Sequence, residues 1–129
     1  MHLREGKKGE AVISVEEGLT AEKMGSGSLP VLATPALIAL MEKAATLAVD
    51  RDLEAGETTV GAEISVEHLS PTPLGMEIRA RAELVEIEGK KLRFRLQAED
   101  RRGTIGRGEH VRYIVSGKKI LEKAREKKE

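Results

Sequence analysis

Val60-Gly61-Ala62-Glu63-Ile64-Ser65-Val66-Glu67-His68 is the stretch on which the fold turns. A two-residue period puts Val60, Ala62, Ile64, Val66 and His68 on one face of a strand, with Glu63, Ser65 and Glu67 on the other. The apolar face needs cover, and the chain offers one long apolar helix to supply it. That helix opens at Thr34-Pro35, where threonine suits the N-cap and proline the first helical position. Leu37, Ile38, Met41, Ala44, Ala45 and Ala48 then keep helical spacing through about residue 53. Many of these side chains are small, so a sheet can wrap closely around the helix. Glu42 sits among them. A threonine, a carboxylate and an imidazole therefore converge on one sheet–helix layer, which points to a reaction site.

Upstream, Ala11, Ile13 and Val15 alternate with Val12, Ser14 and Glu16, predicting a first strand over 10–16. Residues 18–29, with Met24-Gly25-Ser26-Gly27-Ser28, read as a loop. Downstream, four strand-like segments run near 58–70, 76–88, 91–100 and 105–115. They are separated by Pro71-Thr72-Pro73-Leu74-Gly75, Glu88-Gly89-Lys90 and Arg101-Arg102-Gly103. Connections this short predict an antiparallel meander with one buried and one wetter face. Residues 117–129 read as a polar, basic helix or a frayed end. The expected class is α+β: an antiparallel five-stranded sheet wrapped around one long central helix, the element order of the hotdog fold.

A chain of 129 residues predicts one domain over 1–129. Lys+Arg and Asp+Glu balance at 22 each, so no basic field invites nucleic acid. The absence of cysteine excludes disulfides, a thiolate nucleophile and Cys-ligated metals. The three histidines lack metal-ligand spacing, so neither a metal nor a cofactor is expected. Met1-His2-Leu3-Arg4-Glu5 is not followed by a signal-peptide core. The longest apolar stretch, Leu29 to Met41, contains a proline and is too short to span a bilayer. The expectation is a cytoplasmic protein without a membrane partner.

Several ordered motifs carry a family resemblance over roughly residues 10–115. Val31-Leu32-Ala33-Thr34 precedes the helix, with Glu42 eight residues after the threonine. Thr59-Val60-Gly61 follows, then His68 seven residues beyond the glycine, then Thr72-Pro73-Leu74-Gly75. Glu83-Leu84-Val85-Glu86-Ile87-Glu88-Gly89-Lys90-Lys91-Leu92-Arg93-Phe94-Arg95 is the longest match, and Gly108-Glu109-His110-Val111-Arg112 ends it. In these the chain resembles the fluoroacetyl-CoA thioesterase-like branch of the hotdog thioesterases. The resemblance implies that Thr34, Glu42 and His68 occupy the catalytic positions, and that Gly61 and Arg112 lie where the family contacts acyl-CoA. It departs at Met24-Gly25-Ser26-Gly27-Ser28-Leu29-Pro30, which has no aromatic residue where the family's namesake closes bulky aromatics over its acyl group.

Each candidate also has a plainer reading. Thr34 can be only an N-cap, and Glu42 can ride a solvated helix edge beside Lys43, although its neighbours Ile38, Ala39, Ala45 and Thr46 argue for partial burial. His68 can be a strand-end histidine. Gly61 can mark a bulge or allow close approach by a ligand. His110, alternating with Arg112, reads as structural or substrate-adjacent.

Thioester hydrolysis needs an oxygen nucleophile, a base near neutral pH and a stabilised oxyanion. His68 has the titration range of a general base. Glu42 can orient the imidazolium or activate water, and Thr34 can attack or hold the attacking water. Pro35 lacks an N–H, so Ala36, Leu37 or Gly61 is expected to supply donors to the thioester oxygen. The leading reading is an acyl-CoA thioesterase. The alternatives are a non-catalytic acyl-CoA-binding module, which needs no complete Thr34–Glu42–His68 set, and a hotdog hydratase, for which an Asp/His pair at a helix start is lacking. Eight helical residues separate Thr34 from Glu42 by about 12 Å and turn them about 80° apart. One His68 cannot bridge both, so the site is expected to span the interface of a homodimer or dimer of dimers.

Overall fold

The computed structural model describes residues 3–128; Met1 and His2 of the chain start and Glu129 of the tail lie outside the described residues. Strand β1 covers Lys8–Ser14 and turns Ala11 inward, with Val15 buried just beyond its end. Two residue groups inside the segment expected to be a loop are ordered: a 3-10 turn at Glu17–Leu19 and a one-turn helix α1, Ala21–Met24. The helix formers Ala21-Glu22-Lys23-Met24 make that turn, and Gly25 ends it in the left-handed conformation at φ 77°. Helix α2 covers Thr34–Val49 and runs into a 3-10 turn at Asp50–Asp52. Strands β2 (Glu57–His68), β3 (Glu77–Glu88), β4 (Lys91–Asp100) and β5 (Gly103–Ser116) follow, and helix α3, Gly117–Glu126, is the last element among the described residues.

All five strands form one antiparallel sheet in the order β1-β3-β4-β5-β2. Only β3, β4 and β5 make the expected meander, each joined to the next by a tight turn. The meander does not extend to β2, which pairs with β5 at the far edge. The reason lies in the connection from His68 to Glu77, which carries Pro71 and Pro73 and forms no tight hairpin turn. Instead it crosses the sheet end, where Gly75 N–H donates to the Val15 carbonyl and Val15 N–H to that of Met76. Strands β1 and β2 are left as the two edges.

The sheet curls around α2. Leu37, Leu40, Met41, Ala44, Ala45 and Val49 are buried from the helix, against Ile78, Ala80, Leu84, Leu92, Phe94 and Leu96 from the sheet. The approach is closest at Gly9, where a Cβ would collide with the backbone of Ala44 and Ala48. The strand therefore rests directly on the helix backbone. The outer face is charged and cross-linked by pairs such as Arg95–Glu83 (3.0 Å), Arg107–Glu67 (3.1 Å) and Arg81 with Glu10 and Glu99. None of the described helices is long and apolar enough to cross a membrane. Gly9→Ala should destabilise the fold by about 1–3 kcal/mol or more, because backbone rather than a flexible side chain must yield. The urea midpoint checks this, and an unchanged midpoint would refute the close packing.

Candidate active site

Thr34 is the first residue of α2, with Ala33 rather than Thr34 at the N-cap. This corrects the expected capping arrangement and changes what the hydroxyl does. Its Oγ1 lies 2.8 Å from His68 Nδ1, so the side chain bridges to the end of β2 instead of closing the helix start. The Ala33 carbonyl already accepts from the Ala36 and Leu37 N–H groups, at 3.0 and 3.1 Å. Those two amides, expected to face a substrate oxygen, are therefore engaged within the helix, and both side chains lie in the core.

His68 is half-buried, and its Nε2 is enclosed without a hydrogen-bond partner among the described residues. Burial pushes its pKa below the ordinary histidine value, with the Ser70 backbone partly opposing. The imidazole is thus neutral at neutral pH. When Nδ1 is the unprotonated nitrogen, the Thr34 hydroxyl donates to it, which is the geometry of a nucleophile with its base.

Glu42 does not join this pair. Its carboxylate, 40% exposed, accepts from Arg112 Nη1 at 3.2 Å, and His110 Nε2 lies 3.8 Å from the same oxygen. Arg112 is buried, and its guanidinium is almost fully engaged. Nε donates to Thr59 Oγ1 at 2.9 Å, Nη2 to the Thr59 carbonyl at 3.1 Å, and Nη1 to both Glu42 and His110 Nε2, the latter at 3.1 Å. His110 Nδ1 is 2.7 Å from the Glu63 carbonyl, which can only accept, so Nδ1 carries the proton and Nε2 is the acceptor. Burial, first, and the Arg112 charge hold His110 below its ordinary value; the Glu63 carbonyl and Glu42 pull the other way.

A bulge in β2 makes this cluster possible. Register against β5 shifts between Gly61, opposite Arg112, and Glu63, opposite Val111, leaving Ala62 as the extra residue. Ile64, Val66 and His68 point toward the helix as the alternation requires. Before the bulge the phase reverses, so buried Thr59 and exposed Gly61 are on the helix side, and Val60 and Ala62 are not. That corrects the single-face reading of 60–68. Gly61 stands where a Cβ would lie 2.7 Å from Glu42 Oε2 and 3.4 Å from Arg112 Nη1. What approaches Gly61 so closely is the chain's own Glu42–Arg112 pair. Thr59 escaped the sequence reading because the bulge hides its phase, whereas the His110/Arg112 alternation on β5 marks His110 as structural or substrate-adjacent, as found.

One chain therefore holds two half-sites, Thr34–His68 and Glu42–Arg112–His110. A cavity of about 930 Å3 lies elsewhere, on the charged outer face among Glu10, Arg81, Arg95 and Arg107. No group of three or more His, Asp or Glu suited to a metal occurs among the described residues.

The family described as fluoroacetyl-CoA-specific thioesterase (FlK) matches residues 15–118. This chain belongs to that family. Among its relatives, the fluoroacetyl-CoA thioesterase of Streptantibioticus cattleyicolor is 38% identical over 97 residues, 75% of this chain and 70% of the relative. A crystal structure of the fluoroacetyl-CoA thioesterase FlK superposes with a TM-score of 0.92 at 32% identity, covering 98% of both chains. A variant of it in complex with acetyl-CoA gives 0.91 at 31%, covering 97% of this chain and 98% of the other. A thioesterase superfamily member from Thermus thermophilus gives 0.88 at 28%, covering 97% and 93%. These likenesses bear out the hotdog fold and the family expected from the sequence.

Both buried histidines have depressed values in the folded state. Between those values and the unfolded value of about 6.5, the unfolded chain binds more protons, so stability is full above about pH 6.5 and falls as pH drops through the folded values. Unfolding free energies measured from pH 7.5 down to 5 should decline less steeply for His68→Gln than for wild type. Parallel declines would show that His68 is not buried in its neutral form.

Proposed function

We propose that this protein hydrolyses acyl-CoA thioesters to free acid and CoA in the cytoplasm, with Thr34, Glu42 and His68 as its catalytic residues. The observation that carries this is the 2.8 Å contact between an alcohol at a helix start and a neutral imidazole. His68 takes the proton from Thr34, or from a water held by it, as the oxygen attacks the thioester carbonyl. The same imidazole then returns the proton to the leaving thiolate; where Thr34 itself attacks, His68 next takes a proton from a water that cleaves the acyl–Thr34 ester, releasing the acid and restoring the hydroxyl. The positive end of α2 beside Thr34 favours the oxyanion that develops between those steps. Glu42, held against Gly61 by Arg112, supplies the negative charge that offsets the imidazolium or polarises the attacking water. A module that only binds acyl-CoA has no use for an alcohol–base pair.

The two half-sites support an assembly. Thr34 and Glu42 stand about two turns apart on one straight helix, and Glu42's partners in its own chain are Arg112 and His110. Strand β2 is an exposed 12-residue edge that carries His68 at its end. In our reading two copies pair so that Thr34 and His68 of one face Glu42 of the other, forming the groove that admits CoA, as a homodimer or a dimer of dimers. Arg112, with one Nη2 hydrogen left over, borders that groove.

Thiol release from a panel of short and medium acyl-CoAs tests the activity. At least one should be hydrolysed, and His68→Ala should lower kcat by roughly two or more orders of magnitude, as loss of a general base does. Acyl-CoA binding without thiol release across the panel would establish the binding module instead. In the same assay fluoroacetyl-CoA and acetyl-CoA should differ little in kcat/KM, since exposed Leu29 and Met24 are the apolar members of the segment before α2 and no aromatic ring closes over a two-carbon group. A strong fluoroacetyl preference would refute that reading of the segment.

Light scattering at micromolar concentration should give a dimer or tetramer. Inactive Thr34→Ala and Glu42→Ala chains, mixed and reassembled, should recover part of the wild-type rate, because one interface site then holds both intact residues. A monomer, or mixtures as inactive as their parents, would overturn the shared site.

A further inference from the structure

His110 belongs to neither role assigned above, yet it is 1% exposed and hydrogen-bonded at both ring nitrogens. Its Nδ1–H donates to the Glu63 carbonyl next to the β2 bulge, which fixes the tautomer and leaves the Nε2 lone pair aimed at Arg112 Nη1. The Phe94 ring, its centroid 6.0 Å away and tilted 34°, limits rotation of the imidazole. Thr59 holds the other side of the guanidinium through its hydroxyl and carbonyl. Of the two hydrogens on Nη1, one goes to His110 and the other to Glu42 Oε2, so the direction of the first sets the direction of the second. We propose that His110 is a positioning residue of the thioesterase: as a neutral acceptor it aims Arg112, and through Arg112 it holds the Glu42 carboxylate against Gly61. This rests on the catalytic role proposed for Glu42.

A protonated His110 would do the opposite. It would repel Arg112 and offer its own N–H to Glu42, 3.8 Å away. The groups facing the ring are Glu42 from α2, Arg112 from β5, the Glu63 carbonyl from β2 and Phe94 from β4. Only the neutral Nδ1–H form satisfies all of them together.

Three substitutions separate positioning from packing. His110→Gln places an amide oxygen near the position of Nε2 and can accept from Arg112. His110→Asn reaches only the Glu63 carbonyl, and His110→Phe fills the space with no acceptor. The expected result is a kcat lowered roughly tenfold to a hundredfold in the Phe and Asn variants, the scale of a misplaced catalytic group. Their KM should change little. His110→Gln should recover most of the loss. Equal rescue by Asn and Gln, or a raised KM at unchanged kcat, would overturn the proposal. Long-range 1H–15N spectra of the protein give a second reading that needs no substrate. They should show His110 protonated on Nδ1 alone, and Arg112 Nη signals that persist in His110→Gln but broaden in His110→Phe. A proton on Nε2 would overturn the proposal even in an active enzyme. A wild-type protein that releases no thiol would sink the thioesterase reading, while the spectra would still decide whether His110 aims Arg112.

Discussion

Contact between the small-residue face of α2 and the hollow of the sheet is the constraint on which the other features depend. Gly9 presses on the helix backbone at Ala44 and Ala48, and Leu37, Met41 and Val49 fill the remaining space. Because interiors are packed at crystal-like density, such a contact leaves the helix little freedom to slide or turn. A helix fixed in this way fixes both ends of the chemistry. Thr34 emerges at its start within reach of the end of β2, and Glu42 emerges two turns later beside the middle of the same strand.

The strand answers the helix with two different devices. At its far end simple alternation delivers His68 to Thr34. Near its middle the bulge at Ala62 reverses the phase and turns Thr59 and Gly61 inward, Gly61 directly opposite Arg112. The guanidinium then fills a space that continuous alternation would have given to an apolar side chain. An arginine buried to this degree is tolerable only with its donors satisfied, and Thr59, Glu42 and His110 satisfy them. The absence of a side chain at Gly61 is what lets the carboxylate come that close. Bulge, glycine and arginine thus form one unit, and removing any of them would leave a buried charge uncompensated or a carboxylate displaced.

The outer face of the sheet has a different character. Its arginines and glutamates pair across strands, leaving few charges of one sign unopposed, in keeping with the balance of 22 basic and 22 acidic residues. Exposed pairs of this kind add little stability each. Exposed large apolar side chains are scattered: Met24 and Leu29 before α2, Leu69 and Leu74 after β2, Val12 on β1, Leu47 on α2, Tyr113 on β5, and Ile120 and Leu121 on α3.

Local patterns along the chain account for the elements and their class. A period of two over 91–100, helical spacing from Leu37 to Ala48 and the glycine turns after Glu88 and Arg101 are local signals, and β4 begins and ends where the alternation says. Local spacing also brought His68 to the helix-facing side, since no irregularity intervenes between Ile64 and His68. The rest depends on contacts between segments far apart in the chain. Strand order is a matter of which edges find each other, so the pairing of β2 with β5 is absent from any local pattern. The bulge is one extra residue that reads as ordinary alternation until a partner strand exposes the slip. Whether Thr34 caps its helix or reaches His68 depends on where β2 ends in space, and the same holds for Arg112, three of whose four engaged donors go to residues 53 and 70 positions away in the chain. Periodicity is carried by neighbours along the chain, whereas a catalytic geometry is carried by neighbours across it.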